Sequence, residues 1–209
     1  MMRKKFDNKL KELNDTLIEM ANMIQITIKE AMDIFFEGDI DKAKQIIQND
    51  QEINNYQKKI EQICYSLLIE QQPVASDLRL ITAALKMVTD LERIGDQASD
   101  ICELVIDMKD EKRDYDFDKF KQMYTDVSIM LLDSINSYVN KDKELAKRII
   151  EMDDLVDQCF ENNKEDLINY IQNTDDNGKK AVDLLMVNKY LERIGDHITN
   201  VAESVINYL

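Results

Sequence analysis

Leu91-Glu92-Arg93-Ile94-Gly95-Asp96 recurs, residue for residue, as Leu191-Glu192-Arg193-Ile194-Gly195-Asp196. A six-residue word repeated intact one hundred residues on, glycine included, marks two copies of one structural unit. Each copy also sets a glutamate and an aspartate four apart, one helical turn, which makes the word the first candidate for chemistry.

The correspondence extends upstream. Met20, Ile24, Ile28, Met32 and Phe36 form an apolar stripe at helical spacing, closed by Gly38-Asp39. Its counterpart is Met123, Val127, Leu131, Ile135 and Val139, closed by Asn140-Lys141-Asp142. Ala43-Lys44-Gln45-Ile46-Ile47 then aligns with Ala146-Lys147-Arg148-Ile149-Ile150, and Asp50 with Asp153, in the same register. By the hexapeptide the register has shifted by three residues. The shift falls between Gln71-Gln72-Pro73 in one copy and Asn173 to Gly178 in the other, where a turn tolerates it.

Each half therefore reads as three helices, over 6–37, 39–71 and 73–109, then 114–140, 142–173 and 178–208. At 1.5 Å per residue the rods are ~40–55 Å long. Four glycines and one proline in 209 residues leave few breaks for anything but long helices. The expected fold is all-α: two tandem, similar three-helix bundles, residues 1–110 and 111–209, with up-down-up topology. The charged stretch Lys109 to Asp116 is the one linker, short enough that the halves should pack together.

A formal charge of −15 argues against nucleic acid, and Arg3, Lys4 and Lys5 are too few basic residues to reverse that. No apolar run reaches the ~18–20 residues of a spanning helix, and no signal-peptide pattern opens the chain, so a cytoplasmic protein is expected. Cys64, Cys102 and Cys159 are odd in number and widely spaced, consistent with reduced, half-buried thiols rather than disulfides or zinc ligands.

On the third helix Glu92, Asp96 and Asp100 fall at i, i+4 and i+8, with Glu192, Asp196 and Asn200 as equivalents. Leu91, Ile94, Ala98, Ile101 and Val105 lie nearly opposite, as do Leu191, Ile194, Ile198, Val201 and Val205. The acids should line the bundle surface or a shallow groove. Leu78, Ile81 and Leu85 run in line with them upstream, so either the apolar face switches there or the acids are partly buried. The second helix adds Asp50 and Asn54 in one copy, Asp153 and Asp157 in the other. Each copy thus assembles four carboxylates and one amide.

Like charges at i, i+4 repel by a few tenths of a kcal/mol, and a multivalent cation would convert that repulsion into ligation. Oxygen ligands without histidine or cysteine suit hard ions such as Mg, Mn, Ca or Fe, with water or phosphate completing the shell. The other reading is a solvated acidic face, with Arg93 and Arg193 neutralising Asp96 and Asp196. Gly95 and Gly195, inside helices, serve either tight helix packing or the close approach of a backbone or ion. His197, the only histidine, stands where the first copy has Gln97, and reads as a surface or packing residue. No Glu-x-x-His pair, phosphate loop, Ser/His/Asp set or Cys/His pair is present, so an enzyme is not expected.

Gln72-Pro73-Val74-Ala75-Ser76-Asp77-Leu78-Arg79-Leu80, leading to Leu91–Asp96 and its repeat at Leu191–Asp196, resembles the PhoU family over nearly the whole chain. That resemblance implies tandem three-helix bundles, a homodimer, and an accessory role to the phosphate-specific ABC transporter. It implies that such a protein damps the phosphate-starvation response and restrains uptake, contacting the sensor histidine kinase of the phosphate regulon and the transporter's ATPase. It also implies clusters of iron, manganese, magnesium or zinc at Glu/Asp-x-x-x-Asp motifs. Here those fall on Glu92/Asp96, extended to Asp100, on Glu192/Asp196, extended to Asn200, and on Asp153/Asp157; Asp50/Asn54 departs by an amide. The second copy has Asp175-Asp176-Asn177-Gly178 in place of the Pro-x-Ala-x-Asp-Leu-Arg lead-in, so the halves need not share one role. A metal-dependent enzyme or metal-storage bundle using the same acids is the alternative.

Overall fold

The computed structural model describes residues 2–70, 73–111, 115–173 and 178–209. Its helices are α1 (Met2–Glu37), α2 (Ile40–Glu70), α3 (Ala75–Asp107), α4 (Asp118–Asn140), α5 (Lys143–Asn173) and α6 (Lys179–Tyr208). No strand occurs among the described residues. The α2–α3 turn at Gln71-Gln72, the middle of the Lys109–Asp116 linker, and Asp175-Asp176-Asn177 lie outside the described residues.

The helix ends show why the boundaries were readable. Gly38 takes a left-handed φ of 77° after α1, and its N–H closes on Ile34 O at 2.7 Å. Lys141, at the equivalent place after α4, is forced to φ 54°, with Asp142 N–H reaching Ser137 O at 2.9 Å. The next residue caps the following helix in both halves: Asp39 Oδ1 accepts from Lys42 N–H at 3.1 Å, and Asp142 Oδ1 from Leu145 N–H at 2.9 Å. Helix α3 starts at Ala75, two residues later than expected. Pro73 donates no backbone hydrogen bond, and the Asp77 carboxylate instead takes the Val74 N–H at 3.4 Å.

Helix α1 packs on α2 and α3, and α4 on α5 and α6; the halves join mainly through α3 against α6, with α1 touching α4. α3 and α6 run antiparallel, since Asp90 at the middle of α3 meets His197 in the second half of α6, and the Asp107 carbonyl at the end of α3 meets Lys179 at the start of α6. An aromatic cluster fastens α1 to the second half: Phe35 lies 5.2 Å from Phe117 and 5.6 Å from Phe120 between ring centres. At the other end Tyr138 donates to Asn14 Oδ1. One continuous core thus spans both halves.

The apolar stripes are buried as read except at their C-terminal ends, where Phe36 and Ile135 are half-buried and the last turn of α4 departs further. There Val139 is exposed and Tyr138 takes the core position. The cysteines are free, but Cys64 and Cys102 are fully buried, where the expectation was half-burial; burial pushes both thiols up to about 12. At that value neither is a nucleophile near neutrality.

Candidate functional site

Leu91, Ile94, Ala98, Ile101 and Val105 are all buried, and so are Leu191, Ile194, Ile198, Val201 and Val205. The acidic stripe is left at the border of the core: in α3 it is half-buried, with the Glu92 side chain 14% exposed and Asp96 30%, whereas in α6 Glu192 is half-buried and Asp196 exposed. The change of residue type along α3 is therefore partial burial of the acids. They sit in the cleft between the third helix and the second.

The glycine of each repeated word makes that cleft narrow. A Cβ at Gly95 would stand 2.8 Å from Ile53 Cδ1 and 3.2 Å from Ile53 Cγ2. At Gly195 it would stand 2.9 Å from Asp153 Oδ1 and 3.2 Å from Val156 Cγ1. Tight packing of α2 on α3, and of α5 on α6, is what the glycines permit. In the second half that packing brings a carboxylate, as well as apolar carbon, against the glycine.

In the first half Asp50 faces Asp96. Burial, then the Asp96 charge, raises the Asp50 carboxyl, while Asn54 Nδ2 donates to Asp50 Oδ2 at 2.8 Å. Asp50 Oδ1 is buried without a hydrogen-bond partner. Glu92 is raised by burial and by Asp96, and Asp100 by burial, Glu103 and Asp96. Arg93 offsets part of this, with Nη1 3.0 Å from Asp96 Oδ2 and Nε 3.6 Å from Glu92 Oε2.

In the second half Asp153 has neither an amide nor an arginine to relieve it, only the Thr199 hydroxyl. Burial, then the charges of Asp157 and Asp196, push its carboxyl up to about 6. Lys189 pairs with Glu192. Arg193 does not mirror Arg93; it lies across the seam, where its charge lowers Asp100 of α3. Among the described residues no ion pair of Arg193 with Asp196 matches that of Arg93 with Asp96; the Arg193 charge instead acts on Asp100 of the neighbouring helix α3.

Two residue sets are thus drawn together: Asp50, Asn54, Glu92, Asp96 and Asp100, and Asp153, Asp157, Glu192 and Asp196. Asn200 serves the seam, donating through Nδ2 to Asp90 Oδ1 at 3.1 Å. His197 Nδ1 lies 2.9 Å from the same Asp90 oxygen. Asp90 was not legible as a site residue, since nothing in its own helix points to α6. Ser99 and Thr199 were legible in principle: each stands four residues after its glycine, and each hydroxyl lies beside the aspartate of the neighbouring helix, Asp50 or Asp153.

The donor chemistry fits a hard cation: oxygen atoms only, carboxyls held up by their neighbours' charge, and an unpartnered buried oxygen on Asp50. Among the described residues, no three His, Cys, Asp or Glu side chains are already arranged around one metal position. Ion pairs such as Arg93 with Asp96 occupy those oxygens instead.

The architecture defines a class of duplicated three-helix proteins with an acidic cleft in each half. The PhoU domain profile matches residues 17–105 and again 120–205. The chain belongs to the PhoU family. It is 37% identical to the phosphate-specific transport system accessory protein PhoU homolog of Clostridium acetobutylicum, over 99% of this chain and 94% of that protein. It is 27% identical to the phosphate-specific transport system accessory protein PhoU of Escherichia coli K12, over 98% and 85%. The crystal structure of PhoU from Pseudomonas aeruginosa superimposes with a TM-score of 0.93 at 28% identity, covering 97% of this chain and 98% of that one. No described helix is long and apolar enough to cross a membrane.

Proposed function

We propose that this protein is a regulatory accessory of phosphate-specific transport, which damps the phosphate-starvation response and restrains uptake when phosphate is plentiful. In this reading it works in the cytoplasm as a homodimer, by contact with the sensor histidine kinase of the phosphate regulon and the ATPase of the phosphate transporter. The observation that carries it is the match of the PhoU domain in both halves, over residues 17–105 and 120–205, with relatives named as phosphate-specific transport system accessory proteins. Relatives named as accessory proteins favour an adaptor over an enzyme.

The acidic clefts are read as cation sites. Asp50, Asn54, Glu92, Asp96 and Asp100 would hold one, and Asp153, Asp157, Glu192 and Asp196 the other, for iron, manganese, magnesium or zinc. When bound, a cation supplies the positive charge these clustered carboxylates lack. Asp50 and Asp153 bring α2 and α5 to the third helices, so a cation there would tie each pair together.

Deleting the gene and following a phosphate-repressed reporter in high phosphate tests the regulatory role. The reporter should turn on; a reporter that stays off contradicts the assignment.

A further inference from the structure

Between α1 and α2 runs a groove with a cavity volume of about 440 Å³. Its floor is apolar: Ile46 and Ile53 are buried, Met23 and Tyr56 half-buried, and Ile26 is 58% exposed. Its walls carry four carboxylates, Glu19, Glu30, Asp50 and Glu52, and none of its lining residues is lysine or arginine. From Glu19 to Glu30 it follows α1 for roughly 16 Å, about three helical turns.

The second half does not reproduce this surface. At the places of Glu19 and Glu52 stand Gln122 and Leu155, and at that of Met23 stands Asp126. Gln122 Nε2 donates to Asp126 Oδ1 at 3.1 Å, so a polar pair replaces the Glu19 wall carboxylate and the Met23 floor position. The groove is a property of one half, set by substitutions that the duplicated core does not require.

We propose that the α1–α2 groove is a docking site for a basic amphipathic helix of a partner protein. Two antiparallel helices leave a furrow that a third packs into with apolar residues at i, i+3, i+4 and i+7. Lysines or arginines flanking that stripe would meet Glu19, Glu30 and Glu52, and the charge match would speed encounter and fix orientation. This goes beyond the regulatory reading and does not depend on which protein supplies the helix. Asp50 lines both this groove and the first acidic cleft, so docking and cation binding would share one side chain.

The test uses the full-length protein and a fluorescein-labelled synthetic peptide of about 18 residues, long enough for a helix. Leucine forms one face and lysine the flanks; a second peptide carries glutamate for lysine. Anisotropy at about 0.15 M salt keeps diffuse charge attraction low. The lysine peptide should bind saturably at one site and the glutamate peptide should not. Ile26→Glu, a surface change, and the double variant Glu19→Lys/Glu52→Lys should each weaken binding about tenfold or more, as loss of an interface anchor does. Glu161→Lys/Glu165→Lys makes the same charge change on the exposed face of α5 and should leave affinity within about twofold. Circular dichroism checks that each variant keeps its helix content. Absence of saturable binding, indifference to Ile26→Glu, or equal loss in both charge-reversed variants overturns the proposal.

Discussion

Gly95 and Gly195 occupy the same place in the same word, yet one packs on Ile53 and the other on Asp153 and Val156. The first half compensates its acids locally, through Arg93 and Asn54. The second crowds Asp153 with Asp157 and Asp196 and sends Arg193 across the seam. Its core differs too. Asn163 and Asn188, both fully buried, bond to each other at 2.8 Å where the first half has Ile60 and Val88. Duplication has kept the backbone and let the environment of each carboxylate diverge. Equal sequence words do not make equal sites.

The widest difference should come from filling the glycine positions. Gly95→Leu forces a side chain into the branched Ile53 and should cost roughly 3 kcal/mol by overpacking. Gly195→Leu meets a β-branched neighbour too, Val156, but should cost less, because its nearest contact is the Asp153 carboxylate end, which swings aside more readily than Ile53. Thermal or urea denaturation measures both, and the reverse order would break the comparison. Next comes the buried amide pair. Asn188→Val alone strands Asn163 and should cost about 2 kcal/mol, whereas adding Asn163→Ile, as in the first half, should recover most of it.

The pH response is the third contrast. The folded pKa of Asp153 is raised to about 6 from an ordinary 3.8, so the native state holds its proton more tightly than the unfolded chain. That contribution is full below about pH 4 and is lost as pH rises through about 6. Asp153→Asn should therefore flatten the fall in stability across that window, and Asp50→Asn should flatten it less. The smallest effect is at the caps. Lys141→Gly relieves a left-handed φ of 54° and should add about 1 kcal/mol, while Gly38→Lys should subtract a similar amount.

The helices and their faces were legible because the 3.6-residue period and the closing Gly38-Asp39 and Lys141-Asp142 pairs are local signals. Each lies within a few residues of the structure it specifies. Half-burial of Glu92 and Asp96 was open in the sequence: the period shows which side of α3 is apolar, but not how near α2 comes. That distance depends on Gly95 meeting Ile53, residues far apart in the chain. The Asp90–His197 contact and the turn of Arg193 toward Asp100 were hidden for a related reason. They arise where α3 meets α6, and no pattern within one helix encodes its neighbour.

The account rests on the two acidic clefts taking up cations, and calorimetric titration of manganese into chelator-treated protein addresses it directly. Wild type should show saturable binding that weakens as pH falls below about 6, where Asp153 holds a proton. A folded Glu92→Ala/Asp96→Ala/Glu192→Ala/Asp196→Ala variant should show none. Binding that survives unchanged in that variant, or no binding to wild type at all, would contradict it.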